Sequence, residues 1–149
     1  MRLDRDRLLG FYIGFISRQA HRFFEQEFKP YQLGRGSLFI LKKLYEKDGV
    51  HQSVLQSSIH VDKANITRAV AKLAELGYIR KESDSVDNRA NLIYLTDKAY
   101  DFKPKFEAII RKWNDILTAE LSKEEKAKLK DMLIRMCEKT LDYFSEQGN

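Results

Sequence analysis

The feature that most restricts this chain is a change of period across one glycine. From Lys63 to Leu76 the apolar residues Ile66, Val70, Leu73 and Leu76 recur every three or four positions, which places them on one face of a helix. Gly77 then stands where a helix commonly ends in the left-handed backbone region that glycine enters at little cost. Beyond it, Tyr78-Ile79-Arg80-Lys81-Glu82 and Asn91-Leu92-Ile93-Tyr94-Leu95 are short runs suited to strands, and polar Ser83 to Ala90 suits a hairpin loop between them. Upstream, Asp62 offers a capping carboxylate to the helix. Gln52 to Ser58 has room for about two helical turns, and Ile59-His60-Val61 forms a short connection.

Two helices on a tight connection make a helix-turn-helix, and a β-hairpin directly after it makes a winged helix. Around this middle part, residues 36–95, the chain reads as helix. Leu9, Ile13, Ile16, Phe23 and Phe24 mark a first helix over Asp6 to Phe28, ended by Pro30. Gly34 and Gly36 mark a turn, and Leu38, Ile40, Leu41, Leu44 and Tyr45 give a second helix that stops at Lys47-Asp48-Gly49. Thr96 is placed to cap a helix running from Tyr100 past Trp113 to Leu117, which Pro104 should kink. Ser122-Lys123-Glu124-Glu125 matches a capping box at the head of the last helix. The predicted class is therefore mainly α with a small β-hairpin wing, an α+β winged helix in one unit of 149 residues. The helices of residues 1–33 and 96–149 carry more apolar surface than the middle part can cover. A two-fold homodimer formed through them is the expected solution.

Composition narrows the function classes. The chain is 43% apolar and 33% charged with 2 Pro and 7 Gly, which fits a folded helical protein. The formal charge of +5 favours polyanionic partners. No run approaches the ~18 apolar residues of a membrane span, so no membrane role is expected. The lone Cys137 and the charged start MRLDRDRLLG point to the cytoplasm rather than an oxidising compartment. Cys137 lies in the apolar stripe of the last helix and reads as dimer packing. His21, His51 and His60 lack metal-ligand spacing, so neither metal nor cofactor is expected. With no phosphate-cradling glycine loop, no paired carboxylates in a recognisable motif and no nucleophile beside a base, neither is catalysis.

A helix with polar groups on its exposed N-terminal half can enter the major groove of DNA and tell base pairs apart by donor and acceptor pattern. Lys63, Asn65, Thr67 and Arg68 are the base-facing candidates: an asparagine can pair bidentately with adenine, an arginine with guanine. Lys72 lies a turn further on, nearer phosphate. Gln52 and Ser53, opening the preceding helix, can donate to phosphate too. The other reading is a winged helix that docks proteins and binds DNA without sequence preference.

The stretch Asn65 to Arg80 resembles the recognition helix and first wing strand of the MarR family. Asp87-Asn88-Arg89 is similar to its Asp-x-Arg wing motif, and Leu95-Thr96-Asp97-Lys98-Ala99 to its Leu-Thr-x-x-Gly segment. Ala99 departs from that glycine, and Asn88 from a frequent basic residue, removing one phosphate contact. The resemblance implies a dimeric, DNA-binding transcription regulator, usually a repressor, on a pseudo-palindromic operator. It implies that Arg89 reaches a minor groove with Asp87 orienting it. It also implies release of DNA by a small lipophilic or phenolic ligand, for which Phe15, Arg18, His21, Tyr31 and Trp113 are the candidate cleft residues.

Overall fold

A computed structural model describes residues 6–57, 63–83 and 91–147. The elements are α1 (Leu9–Phe28), a 3-10 turn (Lys29–Tyr31), α2 (Arg35–Glu46), β1 (Val50–His51), α3 (Gln52–Ser57), α4 (Lys63–Glu75), β2 (Ile79–Ser83), β3 (Asn91–Leu95), α5 (Asp97–Leu117) and α6 (Lys123–Gln147). The chain divides into two units, Met1–Ile110 and Arg111–Asn149.

The first unit holds the expected helix-turn-helix and strand pair. β2 and β3 pair antiparallel with Ile79 opposite Leu95 and Lys81 opposite Ile93. The sheet has a third member that the sequence reading lacked: β1 lies on the other side of β3, with Val50 opposite Ile93. Two residues are too few to show a period, and only the long-range pairing reveals them as a strand. Gly36, expected in a turn, is instead the second residue of α2; Gly34 is the residue before the helix. The loop Ile59-His60-Val61 and the Asp62 cap lie outside the described residues.

The core is built from one face of each helix. Ile40, Leu41 and Leu44 of α2, Leu55 of α3, Ile66, Val70 and Leu73 of α4, and Ile93 of β3 are each at most 1% exposed. From α1, Phe28 enters the same core and meets Phe106 of α5 at 5.5 Å between ring centroids. α2 and α4 come close at Gly36, where an added Cβ would stand 2.9 Å from that of Ala69.

In α5 the helix runs unbroken through Pro104, although a proline cannot donate to the carbonyl four residues back. In the second unit the capping box forms as expected. Ser122 N–H donates to Glu125 Oε2 at 2.8 Å, and Glu125 N–H to Ser122 Oγ at 3.1 Å. Along α6, Leu129, Met132, Leu133, Ile134, Leu141, Tyr143 and Phe144 are exposed, and so is Cys137. No helix among the described residues is long and apolar enough to cross a membrane.

Replacing Gly36 by alanine adds about 1 kcal/mol of helix propensity but forces α2 and α4 apart. The expected net result is a loss of about 1–3 kcal/mol in urea unfolding. Adding Ala69→Gly should restore much of the loss, and unchanged stability in the single variant would contradict the close approach.

Candidate nucleic-acid interface

At 100° per residue, burying Ile66, Ala69, Val70 and Leu73 turns the opposite side of α4 to solvent. Ala64, Asn65, Thr67, Arg68, Ala71 and Glu75 are exposed there. Arg68 rises between two alanines, Ala64 four residues before and Ala71 three after, so the surface around its guanidinium is shallow. Its Nη2 donates to Oδ1 of Asn65. Lys72 is half-buried and its Nζ lies 3.2 Å from Glu75 Oε1, an exposed pair that contributes little to stability. Gln52 and Ser53 open α3, the first half-buried and the second exposed. Lys63 is the first residue of α4, but its side chain falls outside the described residues, as do Asp87, Asn88 and Arg89.

The far end of α4 is held from behind. Gly77, at φ +76°, lets the chain reverse. Its N–H donates to Ala74 O and that of Tyr78 to Leu73 O, at 3.0 and 2.9 Å, which satisfies carbonyls that a helix end otherwise leaves bare. The head of α5 supplies the rest. Thr96 Oγ1 donates to Gly77 O at 2.6 Å and Lys98 Nζ to Leu76 O at 2.6 Å. The same ammonium sits 4.6 Å from the centre of the Tyr78 ring, a cation at the negative end of the helix dipole and on an aromatic face.

A second anchor centres on Asp48, which the sequence marked only as part of a breaker. Its Oδ1 accepts from the N–H groups of Gly49 and Leu95, both at 2.9 Å, and Oδ2 accepts from the Tyr100 hydroxyl at 2.8 Å. That hydrogen bond raises the Tyr100 pKa above the usual phenol range. Close by, the Tyr45 hydroxyl donates to Ala99 O at 2.7 Å. Burial, then Tyr78 and the Glu107 carboxylate, push its pKa well above the ordinary value, so it stays a donor. The root of β3 and the head of α5 are thus tied to the turn after α2.

On another side of the first unit lies a cavity of about 590 Å³ walled by Phe24, Leu38, Phe39, Phe106 and Ile110. His21, Glu25, Arg35 and Lys42 line it as well. Among Phe15, Arg18, His21 and Tyr31, the residues offered by the sequence in this unit, His21 lines it. The Tyr31 ring packs on Phe102 at 4.6 Å, and the Arg18 guanidinium lies back along its own helix, 3.5 Å from where a Cβ on Gly14 would be. Trp113 is half-buried on α5 in the second unit. Arg35 and Lys42 were missed because each looks like an ordinary solvated residue beside its helix's apolar stripe.

A helix-turn-helix with its second helix laid open and a small antiparallel sheet behind it defines a winged-helix protein. Residues 33–90 match the model of the MarR family. The uncharacterised HTH-type transcriptional regulator YybA of Bacillus subtilis is 28% identical over 124 residues, 83% of either chain. The HTH-type transcriptional regulator BilQ of Clostridioides difficile is 28% identical over 78% of this chain and 79% of its own. The crystal structure of a MarR transcriptional regulator from Methanosarcina mazei Go1 superposes with a TM-score of 0.85 at 27% identity, covering 91% of this chain and 97% of that one. The central winged-helix part thus matches the MarR family of transcriptional regulators, and the chain is similar to HTH-type regulators over most of its length.

The clamp on the end of α4 can be tested without DNA. Thr96→Val removes the hydroxyl donor and keeps the shape, so it should cost about 1 kcal/mol in chemical unfolding. Lys98→Met should cost less, about 0.3–1 kcal/mol, because the group is exposed. Both should speed hydrogen exchange at the Gly77 and Tyr78 amides; unchanged exchange would contradict the clamp.

Proposed function

We propose that this regulator is a repressor that binds a pseudo-palindromic operator as a homodimer in the cytoplasm. Two copies of α4 enter successive major grooves, about 34 Å apart. The observation that carries this reading is the exposed face of α4, where Asn65, Thr67 and Arg68 stand opposite a fully packed apolar face. Lys63 belongs to the same face by its place in the sequence. Gln52, Ser53 and Lys72 contact phosphate, and Asp87, Asn88 and Arg89 form the wing contact. Residues 1–33 and 96–149 supply the dimerisation helices. Leu9, Phe11, Ile13 and Ile16 of α1 are exposed, as are the apolar residues of α6 named above, and a second copy would remove both sets from water.

The effector reading rests on the cavity of the first unit. Apolar walls with His21, Arg35 and Lys42 outnumbering the one carboxylate, Glu25, among the lining residues suit a small aromatic or lipophilic anion. α2 also begins there, at Arg35, without a side-chain cap, and the bare N–H groups of a helix start favour negative charge. A ligand that prefers a dimer geometry unlike the DNA-bound one lowers operator affinity by the same differential.

The test is binding of the purified protein to DNA from its own promoter and to a scrambled duplex, across a salt series. The promoter should bind more tightly, with affinity falling steeply as salt rises. Arg68→Ala should weaken specific binding by roughly 5- to 150-fold, and Arg89→Ala should weaken it as well. Equal binding of both duplexes, with neither substitution mattering, would favour a protein-docking winged helix instead. For the effector, a benzoate-type carboxylate titrated into the complex should release DNA, and Arg35→Ala should raise the concentration required. Release that is unaffected by Arg35→Ala would place the ligand elsewhere.

A further inference from the structure

Resting on that DNA-binding reading, we propose that Asn65 does not read a base of its own. It holds the guanidinium of Arg68, and the two side chains recognise one guanine in each half-site as a single unit.

The argument starts from donors and acceptors. An asparagine pairs with adenine through two bonds, accepting from the N6 amino group with its carbonyl oxygen and donating to N7 with its amide. In this protein the Asn65 carbonyl oxygen already accepts from Arg68 Nη2. For Asn65 to bind adenine bidentately, that oxygen would have to accept from N6 with its remaining lone pair while the bond to Arg68 restricts how the amide edge can turn toward the base. Arg68 gives up little by keeping that bond. A guanidinium carries five N–H donors, and with one directed to Asn65 four remain, two of which suffice for O6 and N7 of guanine.

Position on the helix agrees. Arg68 occupies the middle of the exposed face between Ala64 and Ala71, whereas Asn65, three residues earlier, stands nearer the buried edge beside Ala69 and the crossing with Gly36. A long side chain at the centre of a shallow surface is the one that reaches a base edge. A short one at its flank is placed to steer it. An unsupported arginine on an open helix loses much rotamer freedom when it docks. Anchoring it beforehand reduces that loss and fixes the plane of the fork. Asn65 is thus a positioning residue for specificity, and its two amide N–H groups remain for phosphate or for the same base.

In-vitro selection from a random duplex library, run on the full-length protein and its variants, tests this. Circular dichroism checks that each variant folds. The wild type should select a motif with guanine at one position of each half-site, and Arg68→Ala should lose it. Asn65→Ala should relax preference at that same position, by a smaller factor, with the double variant no worse than Arg68→Ala. Asn65→Asp keeps the acceptor and lacks the donor adenine needs. It should retain the guanine preference, even if overall affinity falls through repulsion from phosphate. The proposal is overturned if Asn65→Ala and Asn65→Asp both erase an adenine at a different position while the guanine stands. It is equally overturned if Asn65→Ala changes no position, or if Arg68→Ala does not affect a guanine. A wild type that selects no motif removes the sequence-specific reading itself, a failure distinct from these.

Discussion

The approach of α2 to α4 at Gly36 decides which face of α4 water sees. With no side chain on Gly36, Ala69 can sit against the α2 backbone, and Ile66, Val70 and Leu73 enter the core beside it. Every exposed position on α4 follows from that one contact by the 100° step of the helix. Arg68 points outward because Ala69 points in. A rotation of α4 by one residue would bring Thr67 and Ala71 toward the core and turn Ala69 and Leu73 toward water, so the chemistry offered to a partner depends on a packing distance some way from any partner.

Much of this was legible in the sequence because it rests on local rules. The stripe of α4, its end at Gly77, the two wing strands and the Ser122–Glu125 box are each set within a few residues, and the structure has them. What was not legible is what distant segments do to each other. β1 is too short to show alternation and exists by pairing with β3 some forty residues on. Asp48 beside Gly49 reads as turn chemistry, and nothing nearby shows that it receives the Leu95 amide. Gly36 reads as a turn residue for the same reason: a glycine needed for closeness looks like one needed for flexibility. Within the site, the sequence singled out Asn65 and Arg68 but gave no sign that one engages the other.

The head of α5 has two neighbours at once. Through Thr96 and Lys98 it holds the end of α4, and through Tyr100 and the Ala99 carbonyl it meets the Asp48 turn and Tyr45. Further along the same helix, the Phe102 ring meets Tyr78 at a tilt and Phe28 edge-on, and Phe106 reaches both Tyr45 and the cavity wall. A continuous set of packed rings therefore runs from the cavity to Tyr78, just past the end of α4.

The turn at Asp48 has a consequence for how a chain of this design can change. Surface turns generally accept added residues because their backbone groups face water. This one does not have that freedom: a single carboxylate inside it accepts from its own Gly49 N–H and ties the turn to β3 and α5 through the Leu95 amide and the Tyr100 hydroxyl. One residue inserted between Glu46 and Val50 would carry the carboxylate away from both distant partners while leaving the helices and strands intact. A short surface turn of the winged helix is thus one whose length is closed to editing.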